Sequence, residues 1–196
     1  MMINWFVAGH AIDDDHWYFK QSEGGRILGN LCHWSDLTLE LFDDASRFPC
    51  KVVPTSPSGS KSDFVTALEF PDGSLASITF SAKGHTFEGV REILQVHKGG
   101  LLAEIRDFKS LSLNRGASRQ RLATWHRDHG HEANIENSYL AVKYAEFGRQ
   151  PTRKHVLDSA SLFLAIRQAH ESGLPITVNG SPEKTPRVST NQQPTL

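Results

Sequence analysis

Cysteine is scarce in this chain: of 196 residues, only Cys32 and Cys50 are cysteines. Two thiols make no disulfide framework, which fits a reducing compartment, so the cytoplasm is the expected location. Excess charge of either sign is also missing, with 21 Lys and Arg against 22 Asp and Glu and a net charge of −1. That balance speaks against a bulk electrostatic hold on nucleic acid or on an anionic membrane, since both need clustered basic residues. No apolar run nears the ~20 residues that span a bilayer. Residues 1–11 do not follow a basic stretch with a clean apolar one, so no signal peptide is read.

Several catalytic and cofactor signatures are missing as well. No G-x-G-x-x-G stands between a strand and a helix, where a dinucleotide pyrophosphate would be cradled. Gly24-Gly25-Arg26-Ile27-Leu28-Gly29 has its glycines at the wrong offsets, and Gly84 to Gly89 has the outer spacing of a phosphate loop without the Lys-Ser/Thr that follows one. There is no CxxC, HExxH or GxSxG, and no internal repeat. Cofactor chemistry then needs a partner segment outside this sequence, or a site of a different kind.

What the chain does have is an orderly alternation of elements. Residues 2–9 read as a strand ending at Gly9, and Asp13-Asp14-Asp15 opens a polar loop. A helix is expected from about Arg26 to Phe42, because Ile27, Leu31, Trp34, Thr38 and Leu41 keep helical spacing. Residues 54–62 are a loop rich in breakers. Residues 63–70 and 75–81 alternate around Pro71-Asp72-Gly73-Ser74 and read as a hairpin. Strands at 92–97, 101–105 and 107–113 continue as a meander, and 114–120 is polar and basic. Helices are expected over 131–147 and 156–172, with Asp158 in the first turn of the latter, where a carboxylate suits the helix dipole. This pattern is α+β: a mostly antiparallel open sheet with helices on one face. It forms one domain over residues 1–178, followed by a polar tail, 179–196, that has almost nothing to bury and reads as disordered.

Histidine is abundant, with ten copies, and it titrates near neutral pH. On the first helix, Arg26, Asn30, His33, Asp36 or Leu37, and Glu40 lie three or four apart, so their polar members share a face. His33 and Asp36 are an i, i+3 pair, and a carboxylate at that spacing can orient an imidazole that exchanges a proton with a substrate hydroxyl. The same spacing also suits a solvated helix face.

The segment Glu23-Gly24-Gly25-Arg26-Ile27-Leu28-Gly29-Asn30-Leu31-Cys32-His33-Trp34-Ser35-Asp36 resembles the signature that opens the C-terminal domain of the Gfo/Idh/MocA oxidoreductases. Ala8-Gly9-His10 and Asp15-His16-Trp17 upstream are similar to the lead-in of one branch. Downstream, Phe80-Ser81-Ala82-Lys83-Gly84 resembles the strand across from the active site. Asp128-His129-Gly130-His131-Glu132 resembles the entry to the penultimate helix. The likeness runs in matching order over residues 3–178.

The resemblance implies a substrate-binding and oligomerising domain of an enzyme that passes hydride between NAD or NADP and a sugar-like or polyol alcohol. It implies a cofactor held mainly by a Rossmann domain outside this chain, and homo-oligomers formed through the sheet face. His33 matches the family's proton-exchanging histidine and Asp36 the aspartate beside it. Asn30, Lys83, His85 and His10 fall near the substrate, and no cofactor-binding residue is assigned. The family's Glu-Lys-Pro lysine belongs to the Rossmann half, and no such motif occurs here. Many members carry an acid four residues before the histidine, where this chain has Gly29; others have one three before, where it has Asn30. Asn30 can position a hydroxyl but cannot take its proton. The alternative is a non-catalytic oligomerising or sugar-binding module.

Four further groups stay open on sequence. Asn4, like His10, flanks the first strand and could face the same cleft. His126, His129 and His131 could be metal ligands, but the segment has no cysteine and no helical H-x-x-x-H pair, so a pocket rim is expected and no metal is assigned. His97, His155 and His170 read as surface residues. Cys32 reads as a packed thiol on the apolar side of its helix, and Cys50 has no evident partner.

Overall fold

The computed structural model describes residues 1–56, 60–84, 89–144 and 151–181. Among the described residues, nine strands form a single sheet: β1 (Met2–Ala8), β2 (Cys50–Thr55), β3 (Phe64–Glu69), β4 (Leu75–Ser81), β5 (Arg91–Lys98), β6 (Leu101–Arg106), β7 (Ser110–Arg115), β8 (Ser118–Ala123) and β9 (Ile176–Val178). The order across the sheet is β8-β7-β6-β5-β1-β4-β3-β2-β9. Only β1 and β4 pair in parallel; every other neighbouring pair is antiparallel. Three α-helices among the described residues accompany the sheet: α1 (Cys32–Glu40), α2 (His131–Tyr144) and α3 (Arg153–Ser172). The fold is α+β with an open, mostly antiparallel sheet.

Alternation fixes which face of the sheet is buried. Ile3, Trp5 and Val7 of β1 point inward, and Trp5 lies between Ile78 of β4 and Leu94 of β5 in the register. Phe64 and Phe80 oppose each other across β3 and β4, with rings stacked 5.3 Å apart. Leu39 of α1 and Leu162, Ile166 and Ala169 of α3 complete this core. The Trp5 indole N–H donates to the Thr38 hydroxyl at 3.0 Å, which pins α1 to the middle of the sheet. Thr152 caps α3, accepting from the His155 amide at 3.0 Å. Gly173 ends the helix at φ 70°, with its amide on the Ala169 carbonyl. Among the described residues, no helix is long and apolar enough to cross a membrane.

Differences from expectation have local causes. β2 was hidden by its proline. Pro54 pairs only with β3, because β9 covers no further than Val52, so the missing N–H leaves no gap in a ladder. β8 reads as polar because every residue of it is exposed; it is a charged edge strand. α3 starts three residues earlier than expected, so Asp158 sits in the second turn, not the first. It is fully buried there, bound by the Lys154 ammonium and by the Ser181 amide at 2.8 Å. Burial alone would raise this carboxyl, but those two donors hold it below the usual carboxylate range. The far ends of the expected α2 helix and of the polar tail, residues 145–150 and 182–196, lie outside the described residues.

Candidate functional site

The approach to α1 is built by close packing. Gly24 and Gly25 turn the chain at φ 76° and 60°, values that side chains rarely adopt. A wide turn with π-type pairing, Ile27–Leu31, then runs directly into α1. Such turns re-aim the side chains that follow them. Inside it, a Cβ on Gly29 would lie 1.8 Å from the Tyr18 hydroxyl, so the aromatic turn Trp17–Phe19 abuts this backbone and requires glycine.

Tyr18 thus occupies the space beside Gly29 and donates its hydroxyl to Asn30 Oδ1 at 2.9 Å. Arg26 donates from Nη1 to the same oxygen at 3.3 Å and from Nη2 to the His10 carbonyl at 2.6 Å. A guanidinium can only donate, so the Asn30 atom beside it is the oxygen and the amide NH2 is turned the other way. Arg26 is only 5% exposed and lies over the rings of Tyr18 and Phe80. Burial lowers its pKa and raises that of Tyr18.

Next to this cluster lies a cavity of about 510 Å³. α1 and the turn before it contribute Asn30, His33, Trp34 and Asp36; β5 contributes Glu92; Phe108, His129 and His131 complete the opposite side. The His33 ring is exposed and makes no hydrogen bond or ion pair among the described residues; its one ring neighbour is Trp34, edge-on at 6.4 Å. Glu92 is 8% exposed and accepts the Trp34 indole N–H at 2.7 Å. Asp107 clamps the strand there: it accepts from the Glu92 amide at 2.9 Å and from Arg91, and its own amide donates to the Glu92 carbonyl at 2.7 Å. Asp107 and Phe108 both hold positive φ, 51° and 50°. That conformation is costly for a phenylalanine, and it is the kind of strain found around functional cavities. His129 and His131 stack at 5.9 Å, with His129 against Phe108.

Of the residues singled out in the sequence, Asn30, His33 and Asp36 share this cavity with His129 and His131, which stand at its rim as expected. His10, Lys83 and Asn4 do not join them. His10 is exposed and meets the cluster only through its carbonyl. Lys83 is exposed beyond the end of β4, its amide on the Ser81 hydroxyl, and does not line the cavity. Asn4 lies on the opposite face of the sheet, where its side-chain oxygen accepts from Ser77 at 2.8 Å. His85 lies outside the described residues.

Asp36 needs a correction. It makes no hydrogen bond to His33. Its Oδ1 lies 2.8 Å from His155 Nε2. His155, expected at the surface, is 6% exposed and tied on its other nitrogen to Glu40 at 3.0 Å and Arg47 at 3.2 Å. The i, i+3 spacing did not decide the contact: a longer-range partner on α3 captured the carboxylate. His170 is also not at the surface: half-buried, it bonds the Thr66 hydroxyl at 2.8 Å and packs edge-on to Phe64.

Glu92 was not singled out. The available signal was its place in β5: it shares a face with Leu94, and a glutamate on a buried strand face needs a reason. Among the described residues, no group of three or more His, Cys, Asp or Glu is placed to hold a metal ion. Burial pushes the Cys32 thiol up and Cys50 to about 12, so neither is poised as a thiolate nucleophile. The arrangement that cradles a dinucleotide pyrophosphate is likewise not found among the described elements. The sheet has one parallel pair, and among the described elements no strand passes through a glycine-rich turn into a helix and on to a parallel neighbour.

The architecture has solved counterparts. An oxidoreductase domain protein from Kribbella flavida matches with a TM-score of 0.71 at 12% identity, over 90% of this chain and 58% of its own. Levoglucosan dehydrogenase in complex with NADH and levoglucosan matches at 0.70 and 14%, over 91% and 58%. UDP-N-acetylglucosamine 3-dehydrogenase from Acidithiobacillus ferrooxidans matches at 0.64 and 15%, over 87% and 53%. These neighbours are oxidoreductases of the Gfo/Idh/MocA type that the sequence resembles. At such identities the likeness establishes the fold, and the chain spans little more than half the length of each. No family model matches the sequence, and no curated protein matches it.

Proposed function

We propose that this chain is the substrate-binding C-terminal domain of an oxidoreductase that transfers hydride between NAD(P) and a sugar-like or polyol alcohol, with the dinucleotide-binding domain contributed by another segment or chain. The observation that carries this reading is the convergence of Asn30 and His33 on one cavity, at the positions of the family motif, in a fold shared with sugar dehydrogenases. The His33 ring, unclaimed by any partner among the described residues, exchanges the proton of the substrate hydroxyl. The Asn30 NH2, aimed by Tyr18 and Arg26, donates to a substrate oxygen. Asp36 acts at one remove, by tying α1 to α3 through His155. The uncovered sheet face is the surface for a second copy.

In the assembled oxidoreductase, His33→Ala is expected to lower turnover about 10²- to 10⁴-fold while leaving the affinity for NADH unchanged. Steady-state kinetics and cofactor fluorescence check the two arms, and unchanged turnover removes His33 as the proton carrier. The same fluorescence titration on this chain alone is expected to give no tight NADH binding.

A further inference from the structure

We propose that Glu92 is a substrate-contacting residue that accepts a hydrogen bond from a ligand hydroxyl or ammonium and, with Asp36, makes the cavity select against anionic ligands. This rests on the reading of the cavity as the substrate site.

One oxygen of Glu92 is committed to the Trp34 indole, and the other has no donor among the described residues although the residue is 92% buried. That second oxygen is not sealed in the core; on a residue that lines the cavity, it is an acceptor open to a ligand donor. The side chain is aimed, not merely present: Trp34 holds its tip, and Asp107 clamps its backbone on both the N–H and the C=O. The same cavity also holds the opposite polarity. The Asn30 NH2 is a donor that cannot flip, because Arg26 must face the oxygen.

An acceptor and a fixed donor in one cavity match a polyhydroxylated ring, whose hydroxyls do both. The charges point the same way. Asp36 and Glu92 line the cavity, while no lysine or arginine does so among the described residues. A sugar carboxylate or phosphate entering there meets the Glu92 carboxylate and that of Asp36, the latter already bonded to His155, and finds no lysine or arginine among the described lining residues. A neutral sugar or cyclitol meets no such penalty, and an amino sugar gains an ion pair.

The experiment compares glucose, glucosamine and glucuronate, three ligands on one ring frame, by nitrogen-proton correlation NMR of the whole chain, with amide shifts of residues around the cavity as the readout. Glucose and glucosamine are expected to perturb these amides, with glucuronate binding at least about tenfold more weakly. Glu92→Gln keeps a carbonyl for the Trp34 N–H but turns the free acceptor into a donor. It is expected to weaken glucose and glucosamine about tenfold or more and to narrow the gap to glucuronate. Glucuronate binding as well as glucose overturns the charge selection without any variant being needed, and unchanged glucose affinity in Glu92→Gln overturns the contact. Cavity amides that respond to none of the three ligands overturn instead the reading on which the proposal rests.

Discussion

Histidines in this chain do different work, and burial sorts them. His33 is exposed at a cavity, with both ring nitrogens unclaimed among the described residues. His155 is buried and divided between Asp36, Glu40 and Arg47, where it acts as a structural tie. His170 is half-buried against Phe64, and burial lowers its pKa. The neutral imidazole is therefore the form the folded state favours. Its folded pKa lies below the unfolded value of about 6.5, so its contribution to stability is complete above that value and is lost as the pH falls through it toward the folded pKa. Urea midpoints at pH 7.5 and 5.5 should show a smaller acid-side loss in His170→Asn than in the parent. An equal loss in both would assign the pH dependence elsewhere. None of this sorting was visible from residue type or spacing, because each partner lies more than a hundred positions away: Asp36 and His155, or Thr66 and His170.

At the scale of elements, the segment into α1 depends on the fit between Gly29 and Tyr18. The helical spacing of Ile27, Leu31, Trp34 and Thr38 made a helix legible in the sequence. The π-type turn inside it was not, since what shapes it is a tyrosine from a separate turn pressed against the backbone. Gly29→Ala places a methyl group where the Tyr18 hydroxyl sits. It is expected to cost about 1 kcal/mol or more through the lost Asn30 bond and the displaced ring. In a Tyr18→Ala background the same change should be cheaper by at least about 0.5 kcal/mol, the non-additivity expected of residues in contact. Additive urea-denaturation energies across that double-mutant cycle would contradict the packing argument.

For the whole molecule, the question is what covers the second face of the sheet. The core lies between the sheet and two helices, α1 and α3, while α2 buries none of its residues. On the far face, Phe6 is 50% exposed, Met2 47% and Leu75 42%, an apolar grouping that isolated chains rarely leave to water. Self-association through this face is expected, with a dimer or larger species in sedimentation velocity. Phe6→Glu should shift it toward monomer with little change in melting temperature, because the side chain points away from the core. A parent chain that sediments as a monomer at micromolar concentration would rule this contact out.

Strand alternation, the Pro71-Asp72-Gly73-Ser74 turn and helical spacing are local properties, and they sufficed to read the α+β class, most of the strands and the helix that bears His33. Their physics acts within a few residues, so one chain carries it in plain order. The composition of the cavity is different in kind. Glu92 reaches it because β5 lies beside β1 and the Trp34 indole binds its carboxylate. Asp36 is drawn from His33 because α3 brings His155 within hydrogen-bond reach. Lys83 is left out because the end of β4 leads elsewhere. Such pairings cost chain entropy that only the folded core can offset, so they exist only once the sheet and helices have packed together.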